Sequence, residues 1–280
     1  MMELYYVGAC TGGKIDLVSG DFCAENVETF LKNRWDYLTL GAIDDRTIVK
    51  SFRKTEEERK LTLQVLADTE AEFNRIMTDA HRVFEADVRN KRPGRVWCNG
   101  YYMDAYVIED GHDAFDEMLC FVRKTVKMLV PFPFWTKEVK HSFVAVDEGS
   151  AGTADFPMDH PFDLGSDDGF EFLTVDAVGP SRFRMVVYGP CVDPVIMLGG
   201  HAYGFDGLTV GSGEYVVVDS RDKEAYMVAT NGQRSNVFDY RDRDSYIFEP
   251  IPPGDVQVTR TRSVAFDLTI YDERGLPPWI

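Results

Sequence analysis

Three aspartates fall within six positions, Asp239, Asp242 and Asp244, and two more are adjacent at Asp167 and Asp168. Carboxylates so spaced could chelate calcium or supply the carboxylate pair of a glycosidase. In the first set Arg241 and Arg243 alternate with the acids and neutralise them, and the glycine and further oxygen donors of a calcium loop are missing. A solvated charged turn is the expected role. Nucleophilic and metal chemistry finds less support. The five cysteines (Cys10, Cys23, Cys98, Cys120, Cys191) and five histidines (His81, His112, His141, His160, His201) are isolated along the chain, with no C-x-x-C pair. The sequence carries no nucleophile elbow, zinc-protease helix, phosphate-binding loop or dinucleotide fingerprint. These patterns assign no catalytic residue, no metal and no cofactor.

Aromatic side chains are the other candidates. Tyr203, Phe205, Tyr215, Tyr226, Phe238, Tyr240 and Tyr246 could stack on sugar rings, and packing between two sheets explains them equally well. The cations are notable because the chain has a net charge of −17, with five of those charges in residues 1–135 and twelve in 136–280. Such a surface disfavours sequence-specific nucleic-acid binding. Yet Lys91, Arg92 and Arg95 cluster around the turn residues Pro93 and Gly94. The longest apolar run, Met128–Trp135, is eight residues with two prolines, so no membrane insertion and no signal peptide are expected. The scattered cysteines suit a reducing compartment.

The elements that hold these residues read as mainly β with one helix in the first half, an α+β class. Leu61, Leu63 and Val65 alternate with polar residues as a half-buried strand does. Thr69 and Glu72 stand at capping-box spacing, and Phe73, Ile76, Met77, Ala80 and Phe84 recur at helical spacing, so a helix of about four turns follows. Asn99-Gly100 predicts a tight hairpin between strands at Arg95–Cys98 and Tyr101–Ile108. A further strand is expected across Val122–Val130. Two prolines bar the segment at 131–135 from a central strand, and it is taken as the boundary between domains at 1–135 and 136–280. An acidic stretch at 147–169 reads as a long loop open to proteolysis. Seven or more short β runs then predict an antiparallel sandwich, the last burying Val264, Phe266, Leu268 and Ile270 on one face.

The cationic Pro-Gly turn "KRPGRVWCNGYYMDAYV", reached from a strand and a helix and followed by a strand ending in "PFPFW", resembles the N-terminal domain of distal tail proteins of long-tailed phages. "PVIMLGG", "GEYVVVDS", "NGQRSNVFDYRDRDSYIFEPIPPGDVQV" and "PPWI" are similar to the galectin-like β-sandwich that follows in that family. The resemblance spans roughly residues 45–280. It implies a structural, non-enzymatic component of the virion tail tip, assembled in the host bacterial cytoplasm. It also implies a ring of six copies built mainly by N-terminal domains, with sandwiches projecting outward and tail tube and tail-tip proteins as partners. Under it, Lys91, Arg92, Arg95, Trp97, Asn99 and Gly100 are candidates for a subunit interface. The alternative is a carbohydrate-binding or carbohydrate-processing sandwich.

Overall fold

The computed structural model describes residues 2–43, 46–116, 120–145, 171–261 and 263–278. The chain divides into two compact units, Met1–Lys137 with Arg274–Ile280, and Glu138–Glu273. The closing segment therefore belongs with the first unit, whereas the sequence reading put it in the second. The acidic stretch at 147–169, with Asp167 and Asp168, lies outside the described residues.

In the first unit, β1 (Leu4–Val7), β2 (Lys14–Asp16) and β3 (Cys23–Ala24) precede a hairpin of β4 (Asp36–Ile43) and β5 (Arg46–Arg53). Then come β6 (Glu57–Leu66), α1 (Glu70–Arg89), β7 (Gly94–Cys98), β8 (Tyr101–Asp116) and β9 (Phe121–Val130). All pairings are antiparallel. β8 serves two ladders: Tyr101–Ala105 pairs with β7, and Tyr106–Asp116 pairs with β9. β7 continues to β1 and β2, and β9 to β6 and β3. The expected end of β8 at Ile108 falls short by eight residues. Register shifts after Val107 and after His112 break the period-two pattern there, and the sequence argument depends on that pattern.

The capping signal holds, since Thr69 Oγ1 accepts the Glu72 N–H at 3.2 Å. Phe73, Ile76, Ala80, Val83 and Phe84 of α1 are buried against Leu4, Tyr6, Leu61, Leu63, Val96 and Met103 of the sheets.

β10 (Trp135–Phe143) leads into the second unit, followed by β11 (Glu171–Val175), β12 (Phe183–Tyr188), β13 (Cys191–Val192), β14 (Val195–Leu198) and β15 (His201–Gly204). The remaining strands are β16 (Thr209–Val210), β17 (Tyr215–Asp219), β18 (Glu224–Val228), β19 (Arg234–Asn236), β20 (Gly254–Arg260) and β21 (Ala265–Arg274). Two antiparallel sheets, β19-β18-β17-β12-β21 and β11-β20-β14-β15, face each other across a core that includes Met185, Leu268, Ile196 and Val258. This is the expected sandwich. Val264, Phe266, Leu268 and Ile270 are at most 3% exposed, so the predicted face is the buried one.

Candidate subunit interface

Structure separates the six candidate residues into different roles. Lys91 ends α1. Its backbone is left-handed at φ +53°, its N–H bonds the Val88 carbonyl, and the Arg92 N–H bonds that of Asp87. These two bonds make a Schellman cap with lysine where glycine is usual. Left-handed backbone costs an L-residue about 1 kcal/mol. Lys91→Gly is therefore expected to raise the melting midpoint by about 3 °C. If the Lys91 charge also serves assembly, the same variant associates less well while melting higher, which calorimetry and sedimentation read separately.

Arg95 lies opposite Asp104 in the ladder, 3.4 Å from its carboxylate, with its guanidinium 3.9 Å from the Tyr102 ring. Trp97 stacks on Tyr5 at 6.2 Å and 9°, and leans on Tyr102 at 5.2 Å. Lys14 closes the other end, 4.0 Å above Tyr5. The result is a row of rings across the neighbouring strands β8, β7 and β1, with cations over its terminal rings. Asn99 (φ +48°) and Gly100 (φ +82°) form the tight turn. Asn99 Oδ1 accepts the Glu3 N–H at 3.2 Å, and its Nδ2 donates to the Pro278 carbonyl at 3.1 Å. Arg95 and Asn99 are thus engaged within their own unit, and Lys91 and Arg92 project from it as exposed cations.

Behind the row, Asp87 fixes how α1 meets the sheet. Its fully buried carboxylate accepts the Tyr6 hydroxyl at 2.7 Å and the backbone N–H groups of Ala9 and Cys10 at 3.2 and 2.9 Å. Gly94 is required beside it, since a Cβ there would lie 2.1 Å from Tyr6 Oη and 2.6 Å from Asp87 Oδ2.

The largest feature of this unit was not anticipated from the sequence. Among the described residues β4 and β5 pair only with each other. Every residue from Tyr37 to Gly41 and from Thr47 to Arg53 is exposed. Tyr37 is 68%, Leu40 66% and Phe52 63% exposed. The root of this arm is firmly held. Lys54 Nζ donates to the Pro133 carbonyl at 2.8 Å, Thr55 Oγ1 to Asp36 at 2.8 Å, and Trp35 packs edge-on against Phe134 at 5.7 Å. Arg59, buried beneath, binds the Thr29 and Lys32 carbonyls that lead into β4. The "PFPFW" run thus supplies the aromatic footing of the arm, and its Trp135 is buried against Phe30.

Part of the acidic and aromatic candidate set of the second unit is engaged in turns and core, while Asp239, Asp244, Tyr240 and Tyr246 are exposed. Asp242 Oδ1 accepts the Asp244 N–H at 2.9 Å, and Arg241 packs 3.9 Å over Phe238. Tyr203 and Phe205 are core residues, and Phe238 stacks on Phe248. Among the described residues no three His, Cys, Asp or Glu side chains gather as a metal site would need. His201 and Ser245 approach to 3.2 Å, but His201 Nε2 also lies 2.9 Å from the Tyr246 carbonyl and the Ser245 hydroxyl bonds the Ala202 carbonyl. A nitrogen donating its proton to a carbonyl cannot take one from a serine.

No family model and no curated protein matches the sequence. Solved structures do. The Dit protein of phage SPP1, described as a paradigm of the hub adsorption apparatus in phages infecting Gram-positive bacteria, aligns with a TM-score of 0.62 and 11% identity, over 97% of this chain and 99% of that one. A chain of the phage P2 baseplate in its activated conformation with calcium aligns at 0.61 with 12% identity, over 99% and 100%. The strontium form of that baseplate gives 0.61 and 13%. The chain has the fold of the phage distal tail proteins. This likeness runs the length of both partners, so it covers both units.

Among the described residues no helix is long and apolar enough to cross a membrane.

Proposed function

We propose that the chain is a structural component of the distal end of a phage tail, where it joins the tail tube to the host-recognition tip. It acts without catalysis, and its first unit closes into a ring of six copies from which the sandwiches project. The full-length likeness to a hub protein and a baseplate chain carries this reading. The burial of Tyr203 and Phe205 and the turn bond of Asp242 favour it over a sugar-processing enzyme. The exposed Lys91 and Arg92 suit contact with an acidic neighbouring copy. Assembly in the host cytoplasm and residence in the virion tail tip follow from the reading.

The test is light scattering after size exclusion on the full chain, alone and with the tail-tube protein of the same phage, followed by negative-stain microscopy. The expected result is a discrete ring that caps the tube. A chain that neither binds the tube protein nor forms a ring sinks the reading.

A further inference from the structure

An open cavity of about 440 Å³ lies at the β18–β19 end of the sandwich, lined by Lys223, Glu224 and Tyr226 on one side and Arg234, Asn236 and Phe238 on the other. Sites for small ligands have this size, roughly 300–1,000 Å³. Strand register sets its chemistry. Tyr226 stands opposite Asn236, and Val228 opposite Arg234. Ala225 and Met227 pack into the core, so Glu224, Tyr226, Arg234 and Asn236 share the outer face of the sheet. β19 is the edge strand there, and Glu224, Arg234 and Asn236 are exposed. The Arg234 guanidinium lies 4.8 Å over the Tyr226 ring. Asn236 Oδ1 accepts the Phe238 N–H at 2.8 Å, which fixes the amide and leaves its Nδ2 to donate. Among the described residues the Glu224 carboxylate and the Arg234 guanidinium make no hydrogen bond or ion pair. Tyr188 on the same face, by contrast, donates to Asp267 at 2.7 Å.

We infer that this cavity is a saccharide-binding site, a role beyond the structural one proposed above. Its lining selects the ligand. An anion is attracted by Lys223 and Arg234 but repelled by Glu224, and a cation meets the reverse. An apolar ligand strips water from a carboxylate, a guanidinium and an amide without pairing them. A sugar hydroxyl both donates and accepts, so adjacent hydroxyls can engage the Arg234 fork and the Glu224 carboxylate together, with Asn236 as a further donor. Tyr226 and Phe238 are half-buried and supply apolar walls for the ring carbons. Because the cavity sits at a sheet edge, a polymer can run on beyond it. A free sugar and a ring within a polysaccharide share this chemistry. On the distal-tail reading the polysaccharide belongs to a host surface, and a weak contact repeated over several copies gains strength from their shared assembly.

Amide NMR on the full chain tests this, with titrations of glucose, galactose, mannose and N-acetylglucosamine and of soluble polysaccharide stripped from a bacterial cell wall. At least one of these probes is expected to shift the amides of residues 223–238. Arg234→Ala and Glu224→Gln are each expected to weaken that binding at least about tenfold. Both side chains are exposed, so the melting midpoint stays where it is in the unaltered chain. Val178→Ser, which removes an 86% exposed side chain elsewhere in the second unit, leaves binding intact. Tighter binding of the polysaccharide than of every monosaccharide identifies a surface polymer as the ligand, and equal affinity identifies a free sugar. Shifts of the same amides by inorganic phosphate, shifts that survive both substitutions, or no shift with any sugar or polysaccharide overturns the inference. A chain that caps the tail tube without binding sugar keeps the distal-tail reading and loses this one.

Discussion

Replacing Asp87 by alanine is expected to destabilise the first unit by about 3 kcal/mol, which lowers its melting midpoint by roughly 10 °C. The carboxylate is fully buried and accepts from Tyr6, Ala9 and Cys10. Removing it strands the Tyr6 hydroxyl in the core, at about 1–3 kcal/mol for a buried donor without a partner. The two backbone donors lie in a half-buried turn where water replaces part of what is lost. Gly94→Ala should produce a comparable loss from the opposite side, because the added methyl collides with both members of the Tyr6–Asp87 pair. Calorimetry on the two variants checks this, and a loss under about 1 kcal/mol for Asp87→Ala would show that the network is incidental.

The same network sets an alkaline limit. Burial, reinforced by Asp87, pushes the Tyr6 phenol far above its ordinary value of 10.0, and burial does the same to Tyr203. Tyr188, hydrogen-bonded to Asp267, is pushed up to about 12. A pKa raised in the folded state gives stability that is complete below the unfolded value and lost as pH rises through it. The midpoint should therefore hold steady to about pH 10 and fall beyond it, less steeply in Tyr6→Phe.

These residues mark how far the sequence could be read. α1 was legible because its cap and its 3.6-residue apolar stripe agree. β21 was legible because alternate residues face one core. Both arguments assume that an element buries one face within its own chain. The arm breaks that assumption: Tyr37 and Leu38, or Ile48 and Val49, are adjacent apolar residues on opposite faces, and neither face meets a core. Periodicity has nothing to register where neither face of an element meets a core. The turn at Asn99-Gly100 was legible from backbone chemistry. The division of labour among its neighbours was not, since Arg95 and Asn99 find partners far away in sequence, Asp104 across the strand and Pro278 near the chain end. Asp87 gave no signal at all, because a lone acid in the last turns of an amphipathic helix reads as a solvated one.

Lys124 poses the same problem in a strand, and its expected behaviour is the sharper test. It occupies an inward position of β9 between Val122 and Val126, is fully buried, and lies 2.6 Å from Asp110 of β8. Asp110→Ala leaves an ammonium in the core without its counter-charge, which should cost about 3 kcal/mol after allowance for the partly exposed carboxylate. Lys124→Met removes the charge and fills the space, so its cost should be smaller. Lys124→Met/Asp110→Val should recover most of the loss of Asp110→Ala, because a buried ion pair gains little over well-packed apolar groups. Urea unfolding of the three variants measures the cycle, and additive losses would refute the coupling. The pair sits between the two register shifts of β8, where one strand must hold two ladders in fixed phase. An apolar pair tolerates a slip of two residues there, and an ion pair does not. Amide exchange across Glu109–Ala114 should accordingly be faster in the double variant than in the wild type at equal stability, and unchanged exchange would mean that the bulges alone set the register.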